Sequence, residues 1–387
     1  MYYKGKCRFM ISSYAIDDVP ESVLRFWHET RAAKDPAGVL ASSVEWLDLL
    51  TSHDSSTASV LVVDGSTVLP LIRRPYVINM DLAGRRMGCR TFDVLKVCGG
   101  ELISKNGDVD ALAAVWDAAM DKQPGVDAIW FDHVCASGHL ELIEQSVAHS
   151  AQCRLHVLER DLPHCRTVMP PDYDACLAQR SSKSLSRLRS KTRALERDIG
   201  STCEIHEFRT AEEWAPYAEK IDALMAQSWQ VRMLGHSFAL EHHRTAASRG
   251  MVRAFLLTCG ENAVAFTLYY SGRETLIAGF LGYDQRFARH SPGAILFLKT
   301  LACLYKQDPP RYLDFGEGDA DYKAQWSNDT VHVNSLMVLR KTAKLERTFA
   351  RASRCASITR ALRRGLQRVG LERSLVQRLK RSGNVSA

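Results

Sequence analysis

Residues 314–326 read DFGEGDADYKAQW, which sets four carboxylates, two glycines, a tyrosine and a lysine in thirteen positions. Asp, Glu, Tyr and Lys can move protons or hold charge, and glycine lets a backbone turn tightly or approach a ligand. Residue types alone fit a polar surface turn equally well, so the neighbouring segments decide. Upstream, ETLIAGFLGYDQRF from Glu274 has a strand-like start and runs into ARHSPGAILFLKTLACLYK. There Ser291 is placed to cap a helix, Pro292 to occupy its first position and Gly293 to leave the backbone open, followed by Ala294. A helix start after a strand offers unpaired N–H groups and the positive end of the helix dipole. Those features suit a pyrophosphate, and Arg286, Arg289 and His290 add charge. The next strand, RYLDF, is expected beside the first, bringing Asp314 to the crevice where ligands of open sheets collect. The chain then turns at Gly316 and Gly318 into a short helix carrying Tyr322, Lys323 and Trp326.

The elements that position these residues recur along the chain. VLVVDGSTVLPLIRRPY, 60–76, reads as a hairpin turning at Asp64 and Gly65; RAFLLTCGENAVAFTLYY, 253–270, reads as another turning at Gly260 and Glu261. Each is followed by a helix, about 109–122 and about 292–307, and then by a strand ending in acid, VDAIWFDHV and RYLDFGEG. The spacing predicts a duplicated α/β unit. With 387 residues the chain is long enough for two domains. The proline-rich VMPPDYD at 168–174 sets the boundary, giving a first domain over 1–170, a second over 171–345 and a basic tail over 346–387. Just past that boundary, Leu185, Leu188, Thr192 and Leu195 form one helical stripe, with Arg187, Arg189, Lys191 and Arg193 around it. That helix is either a solvated opening to the second domain or a basic face for a phosphate-rich ligand or RNA.

Eleven cysteines stand as singles with no CxxC pair, which argues against a disulfide framework and a structural zinc site. His133, Cys135 and His139 form the nearest approach to a ligand cluster; without a second cluster no metal is expected. The pair His242 and His243 is expected at the surface. No apolar run reaches the length of a spanning helix, and the N-terminal stretch lacks the pattern of a signal peptide, so a cytoplasmic location is expected. The net charge of +7 is uneven: from Arg340 onward there are 14 basic and 2 acidic residues, against 37 and 42 in the rest. Within the tail Leu362, Leu366, Val369, Leu371, Leu375 and Leu379 recur at helical spacing among arginines. Such a segment can lie on an anionic membrane, which would put the protein at the inner face as a peripheral partner, or dock on an acidic patch of its own protein.

Strand, phosphate loop, helix, strand and a short helix with tyrosine resemble the core of the GNAT superfamily of acyltransferases. More narrowly, Pro292-Gly293 followed by LDFGEGDADYKAQW at 313–326 resembles the BioF-like, CelD-like acetyltransferase group of cellulose and exopolysaccharide synthesis. SLSRLRSKTRALE at 184–196, SSVEWLDLL and LPLIRRP add to the likeness, which spans about residues 20–340. Fem-type aminoacyltransferases share the two-domain architecture.

The resemblance implies an α/β protein of tandem GNAT-like domains, the first on the acceptor side and the second holding the acyl donor and catalytic residues. It implies acyl transfer from acetyl-coenzyme A or another acyl-coenzyme A, without a metal, to an amine or hydroxyl of a small molecule or saccharide. Tyr322 takes the place of the tyrosine that protonates the departing thiolate. Asp314, Glu317 or Asp319 is then the base, with Lys323 paired to a carboxylate or sharing in proton transfer. Trp229 and Gln230, with Trp326, fall on the acceptor side. The loop ARHSPGA departs from the superfamily pattern in having one glycine instead of two. That departure admits an aminoacyl-tRNA donor, with the basic helix on tRNA, or a non-catalytic assembly role in polysaccharide synthesis.

Overall fold

The computed structural model describes residues 10–32, 41, 43–51, 58–63, 67–82, 85–100, 102–104, 107–135, 139–234, 238–318 and 321–368. In chain order the strands are β1 (Ile11–Tyr14), β2 (Ala58–Val63), β3 (Thr67–Leu82), β4 (Arg85–Val97), β5 (Ile103–Ser104), β6 (Ala128–Cys135), β7 (Cys153–Val168), β8 (Cys203–Phe208), β9 (Val252–Cys259), β10 (Asn262–Ser271), β11 (Thr275–Tyr283), β12 (Tyr312–Glu317) and β13 (Asp329–Arg340). The helices are α1 (Glu21–Ala32), α2 (Val44–Thr51), α3 (Val109–Lys122), α4 (His139–His149), α5 (Tyr173–Ala178), α6 (Ser182–Ile199), α7 (Ala211–Trp214), α8 (Ala218–Ala226), α9 (Trp229–Leu234), α10 (Leu240–Ser248), α11 (Pro292–Lys306), α12 (Asp321–Trp326) and α13 (Ala343–Arg368). The chain forms two compact units, one running to Leu162 and resuming at His332, the other covering Pro163–Val331. VMPPDYD lies within the second unit, at the end of β7 and the start of α5.

In the first unit β1, β2, β3 and β4 pair antiparallel in order; β6 then lies parallel to β4 and β13 antiparallel to β6. The second unit repeats this plan. Strands β8 to β11 pair antiparallel, β12 lies parallel to β11, and residues 164–168 of β7 lie antiparallel to β12. In both units the parallel step is made by a helix, α3 or α11, because parallel neighbours need a long crossover. The duplication expected from the hairpins is therefore a repeat of topology. The Gly65 turn lies outside the described residues, whereas Gly260 turns between β9 and β10 at φ 56°.

α3 begins at Asp108, whose carboxylate accepts from the N–H groups of Asp110 and Ala111. α6 begins at Ser181, which accepts from Ser184 N–H, and ends at Gly200 in the left-handed region at φ 77°. Its stripe packs inward as the spacing requires. Leu195 is fully buried and Leu188 half-buried against Leu257 and Ile295, while Arg187, Arg189 and Arg193 stay exposed. Burying each such leucine is worth roughly 1.5–3 kcal/mol. The other face of β9–β11 carries a second apolar set. There Phe266 meets Trp214 and Phe238, and Phe280 meets Phe238 and His243. His243 is 3% exposed, so the expected surface position of the His242–His243 pair is corrected: α10 turns His243 onto this aromatic face.

α13 also departs from expectation in what it meets. Leu345, Phe349 and Ala352 are buried with Ile78, Phe92 and Leu339, and the Phe92 and Phe349 rings lie 5.3 Å apart. Over Leu345–Ala352 the helix docks through apolar packing, because its first turns carry an inward stripe of their own; Val369, Leu371, Leu375 and Leu379 lie outside the described residues. Among the described residues no helix is long and apolar enough to cross a membrane. No group of three or more His, Cys, Asp or Glu among them is placed to hold a metal.

Candidate active site

The parallel ladder between β11 and β12 is short: Thr275, Ile277 and their neighbour Leu276 pair with Tyr312, Asp314 and Leu313. Beyond Ile277 the two strands share no further pairs, and β11 runs on to Tyr283 and the start of α11. Past the ladder β11 leads toward the first turn of α11, where the sequence suggested a ligand crevice.

At that turn Ser291 takes the left-handed conformation, φ 56° and ψ 57°, a strained choice for a residue with a Cβ. It holds the cap position, yet its hydroxyl does not cap the helix. Its carbonyl accepts from the N–H groups of Ala294 and Ile295, at 3.0 and 3.2 Å. Pro292 has no N–H to leave unpaired. A Cβ added at Gly293 would make ordinary van der Waals contact with the Leu281 methyl groups, at 3.6 and 3.8 Å, so no side chain or backbone crowds the turn there.

The charges around this turn differ from those the sequence suggested. Arg286 is tied to Asp284 by bonds of 2.7–3.1 Å. Arg289 and His290 both bind Asp198 of α6, at 2.5 and 2.7 Å. Those two hydrogen bonds, Arg289's first, hold Asp198 below the usual carboxylate range. The cation delivered to the turn is Lys191, whose ammonium donates to the Ser291 hydroxyl at 2.5 Å. Sequence reading placed Lys191 on the basic helix without linking it to this site; no local pattern joins residues 100 positions apart.

The acidic strand resolves into separate roles. Side chains alternate along β12, so Leu313 and Phe315 face α11 with Ile295 and Leu296, and Asp314 faces the other way. Asp314 is 3% exposed. Its carboxylate accepts from His164 Nε2 at 2.8 and 2.9 Å and from Gly316 N–H at 2.7 Å. His164 was not anticipated: it stands 150 residues upstream on β7, and only the fold makes it a neighbour. Gly316 and Gly318 both have positive φ, 72° and 104°, as the predicted turn requires. Gly318 N–H donates to the Pro163 carbonyl at 2.9 Å. Glu317 is exposed at the end of β12, and Asp319 lies outside the described residues.

On α12, Tyr322 is 49% exposed and sits edge-on to Phe315, ring centroids 6.4 Å apart. Partial withdrawal from water, then the nearby Cys165 thiol, push its pKa up. Lys323 donates to the Glu317 carbonyl oxygen. Burial lowers its pKa against the opposing pull of Cys165, Glu317 and Asp314. Trp326 faces inward, with Phe297 at 4.8 Å and the Arg180 guanidinium over its ring at 4.7 Å. Thr167 Oγ1 donates to the Trp326 carbonyl.

Gln230 bridges the free edge of β11: its Nε2 donates to the Gly279 carbonyl at 2.8 Å and its Oε1 accepts from Leu281 N–H at 2.9 Å. Ser228 Oγ adds a bond to the Leu281 carbonyl at 2.7 Å. Trp229, the next residue, is 57% exposed. The structure thus brings Asp314, Glu317, Tyr322 and Lys323 to one strand–helix corner, and Ser291, Pro292, Gly293 and Ala294 to the helix start. It turns Arg286, Arg289, His290 and Trp326 toward partners within the fold.

Residues 182–324 match the family described as acetyltransferase (GNAT) domain, a span that holds the β11–β12 ladder, the α11 start and Tyr322. No curated protein sequence matches the chain. Among solved structures, FemX aligns at TM-score 0.57 and 12% identity over 87% of this chain and 99% of its own. A conserved protein of unknown function from Bacteroides thetaiotaomicron aligns at 0.51 and 12% over 86% and 100%. L-PGS from Bacillus licheniformis aligns at 0.50 and 14% over 87% and 96%. At these identities the likeness is one of fold, extending over both units. The chain carries an acetyltransferase domain of the GNAT type over residues 182–324 and is an acyltransferase.

Proposed function

We propose that this acyltransferase takes its acyl group from an acyl-coenzyme A bound at the first turn of α11 and passes it to an amine or hydroxyl. The observation that carries the reading is the α11 start itself: an uncrowded Gly293 with the Lys191 ammonium held at Ser291, inside the matched domain. Backbone N–H groups, the helix dipole and a nearby cation are the means by which a protein holds a pyrophosphate. Arg187, Arg189 and Arg193 on the same helix add positive potential. These residues fit the donor.

The donor supplies a thioester carbonyl open to attack. Tyr322 then donates its hydroxyl proton to the departing sulfur. A tyrosine near pKa ~10 and a thiol near ~8.5 make that transfer close to balanced, and the raised pKa of Tyr322 keeps its proton in place at neutral pH. Asp314 is buried and fully engaged, so it serves to fix the Gly316 turn. Glu317 is the exposed described carboxylate, and it removes the proton of the acceptor amine or hydroxyl. Lys323, held on the Glu317 carbonyl, ties α12 to the end of β12. The acceptor is an amino sugar or another polysaccharide precursor, in keeping with the narrower resemblance of LDFGEGDADYKAQW.

A second reading, aminoacyl transfer from tRNA, rests on the exposed arginines of α6. The two are separated by titrating coenzyme A and a bare tRNA against the intact protein and a Lys191→Ala variant. Saturable coenzyme A binding weakened in the variant supports the first; tRNA binding with no coenzyme A binding replaces it.

A further inference from the structure

The surface of α13 changes character along its length. Leu345, Phe349 and Ala352 form the docked stripe, buried against β3, β4 and β13. At 100° per residue Cys355, Ile358 and Leu362 form a second stripe, turned by roughly 100° from the first. Because of that turn, the core that covers Phe349 does not cover it: Ile358 is 50% exposed and Leu362 48%. The sequence continues the second stripe with Leu366 and Val369. In the sequence, Arg360, Arg363, Arg364 and Arg368 fall at spacings complementary to those apolar residues. No acid stands between Glu346 and Glu372, and Arg373, Arg378, Lys380 and Arg381 follow.

We infer that the distal half of α13 is a lipid-binding element that lays Ile358 and Leu362 into the surface of an anionic phospholipid membrane. An apolar stripe backed by arginines is the pattern of a helix lying in the membrane interface, where long basic side chains reach back to the headgroups. A purely electrostatic partner such as RNA would account for the arginines and leave the aligned, exposed Ile358 and Leu362 without a role. The excess of 14 basic over 2 acidic residues from Arg340 onward supplies the attraction to anionic headgroups. The proximal stripe remains docked in the fold, so membrane contact and the catalytic domain are held by one chain. This inference is independent of the donor assigned above.

The test is sedimentation of the full chain with vesicles of phosphatidylcholine alone and with vesicles doped with phosphatidylglycerol, in low and high salt. Expected is salt-sensitive binding to the doped vesicles only, weakened at least tenfold in Ile358→Glu/Leu362→Glu with an unchanged thermal midpoint. Failure of the intact protein to bind doped vesicles overturns the inference. Equal binding by the double variant also overturns it, since the apolar stripe would then be idle. A tRNA titration unaffected by the double variant, together with no vesicle binding, reassigns the helix to nucleic acid. A fall in oligomer size on making the double variant, again without vesicle binding, reassigns the stripe to a second copy of the chain.

Discussion

The Lys191 ammonium lies 2.5 Å from the Ser291 hydroxyl, joining the basic helix α6 to the strained first turn of α11. The two neighbouring basic side chains of that turn, Arg289 and His290, are both occupied by Asp198 of the same helix. The helix therefore plays two parts: Asp198 ties down local charge, and Lys191 brings charge in. On the proposed donor site, replacing Lys191 by Ala removes one charge-assisted contact to the donor phosphate, worth about 1.5–3 kcal/mol. The dissociation constant for coenzyme A should rise by roughly 10- to 100-fold, with a shallower salt dependence and an unchanged fold.

Tyr322→Phe keeps the ring against Phe315 and deletes the proton. Turnover is expected to fall by about 10²–10⁴ with coenzyme A affinity unchanged. Unchanged turnover in steady-state assays removes Tyr322 from the mechanism.

The two described carboxylates of the corner should behave differently. Glu317→Gln should lower kcat at least tenfold while the thermal midpoint stays in place. Asp314→Asn breaks the paired contact to His164 and Gly316 within the sheet, costing about 1–3 kcal/mol. Its thermal midpoint should fall by several degrees. The reverse pattern would make Asp314 the base.

His243 gives a test by pH. Burial pushes its pKa down to about 3, with His242 adding a little. An unfolded histidine near 6.5 binds a proton that the folded one refuses, so stability is full above about pH 6.5 and drains away as the pH falls toward 3. At one pKa unit per 1.36 kcal/mol, the loss approaches roughly 4–5 kcal/mol at the acid end. His243→Phe should flatten the fall in thermal midpoint between pH 7 and pH 4, measured by calorimetry. An equally steep fall in the variant shows that other groups govern acid unfolding.

Much of this was legible because it is local. The SPG start of α11, the apolar stripe of α6 and the glycines at 316 and 318 each follow from short-range spacing or backbone demand, and the structure has them where the residues put them. The repeat of strand order was legible in the two hairpins and the acid-ended strands. Partners separated in sequence were not. His164 reaches Asp314 only because β7 pairs with β12, and Lys191 reaches Ser291 only because α6 packs on α11. The same packing engages Arg289 and His290 through Asp198, while Arg286 is held by Asp284 two residues before it; all three charges looked available in a linear reading. Trp326 turned inward because aromatic area is better buried against Phe297 than left wet. His243 was misplaced because adjacent histidines suggest a surface, and the sequence does not show which side of α10 meets the sheet.

The most direct test of the central claim is isothermal titration of coenzyme A and acetyl-coenzyme A into the intact protein and a Gly293→Trp variant. The indole would cover the α11 start, starting from a Cβ that sits in ordinary contact with Leu281 at 3.6 Å. Saturable binding by the intact protein, lost in a variant of unchanged thermal midpoint, is the predicted result. Absence of binding to the intact protein, or equal binding by the variant, contradicts an acyl-coenzyme A site at this helix start.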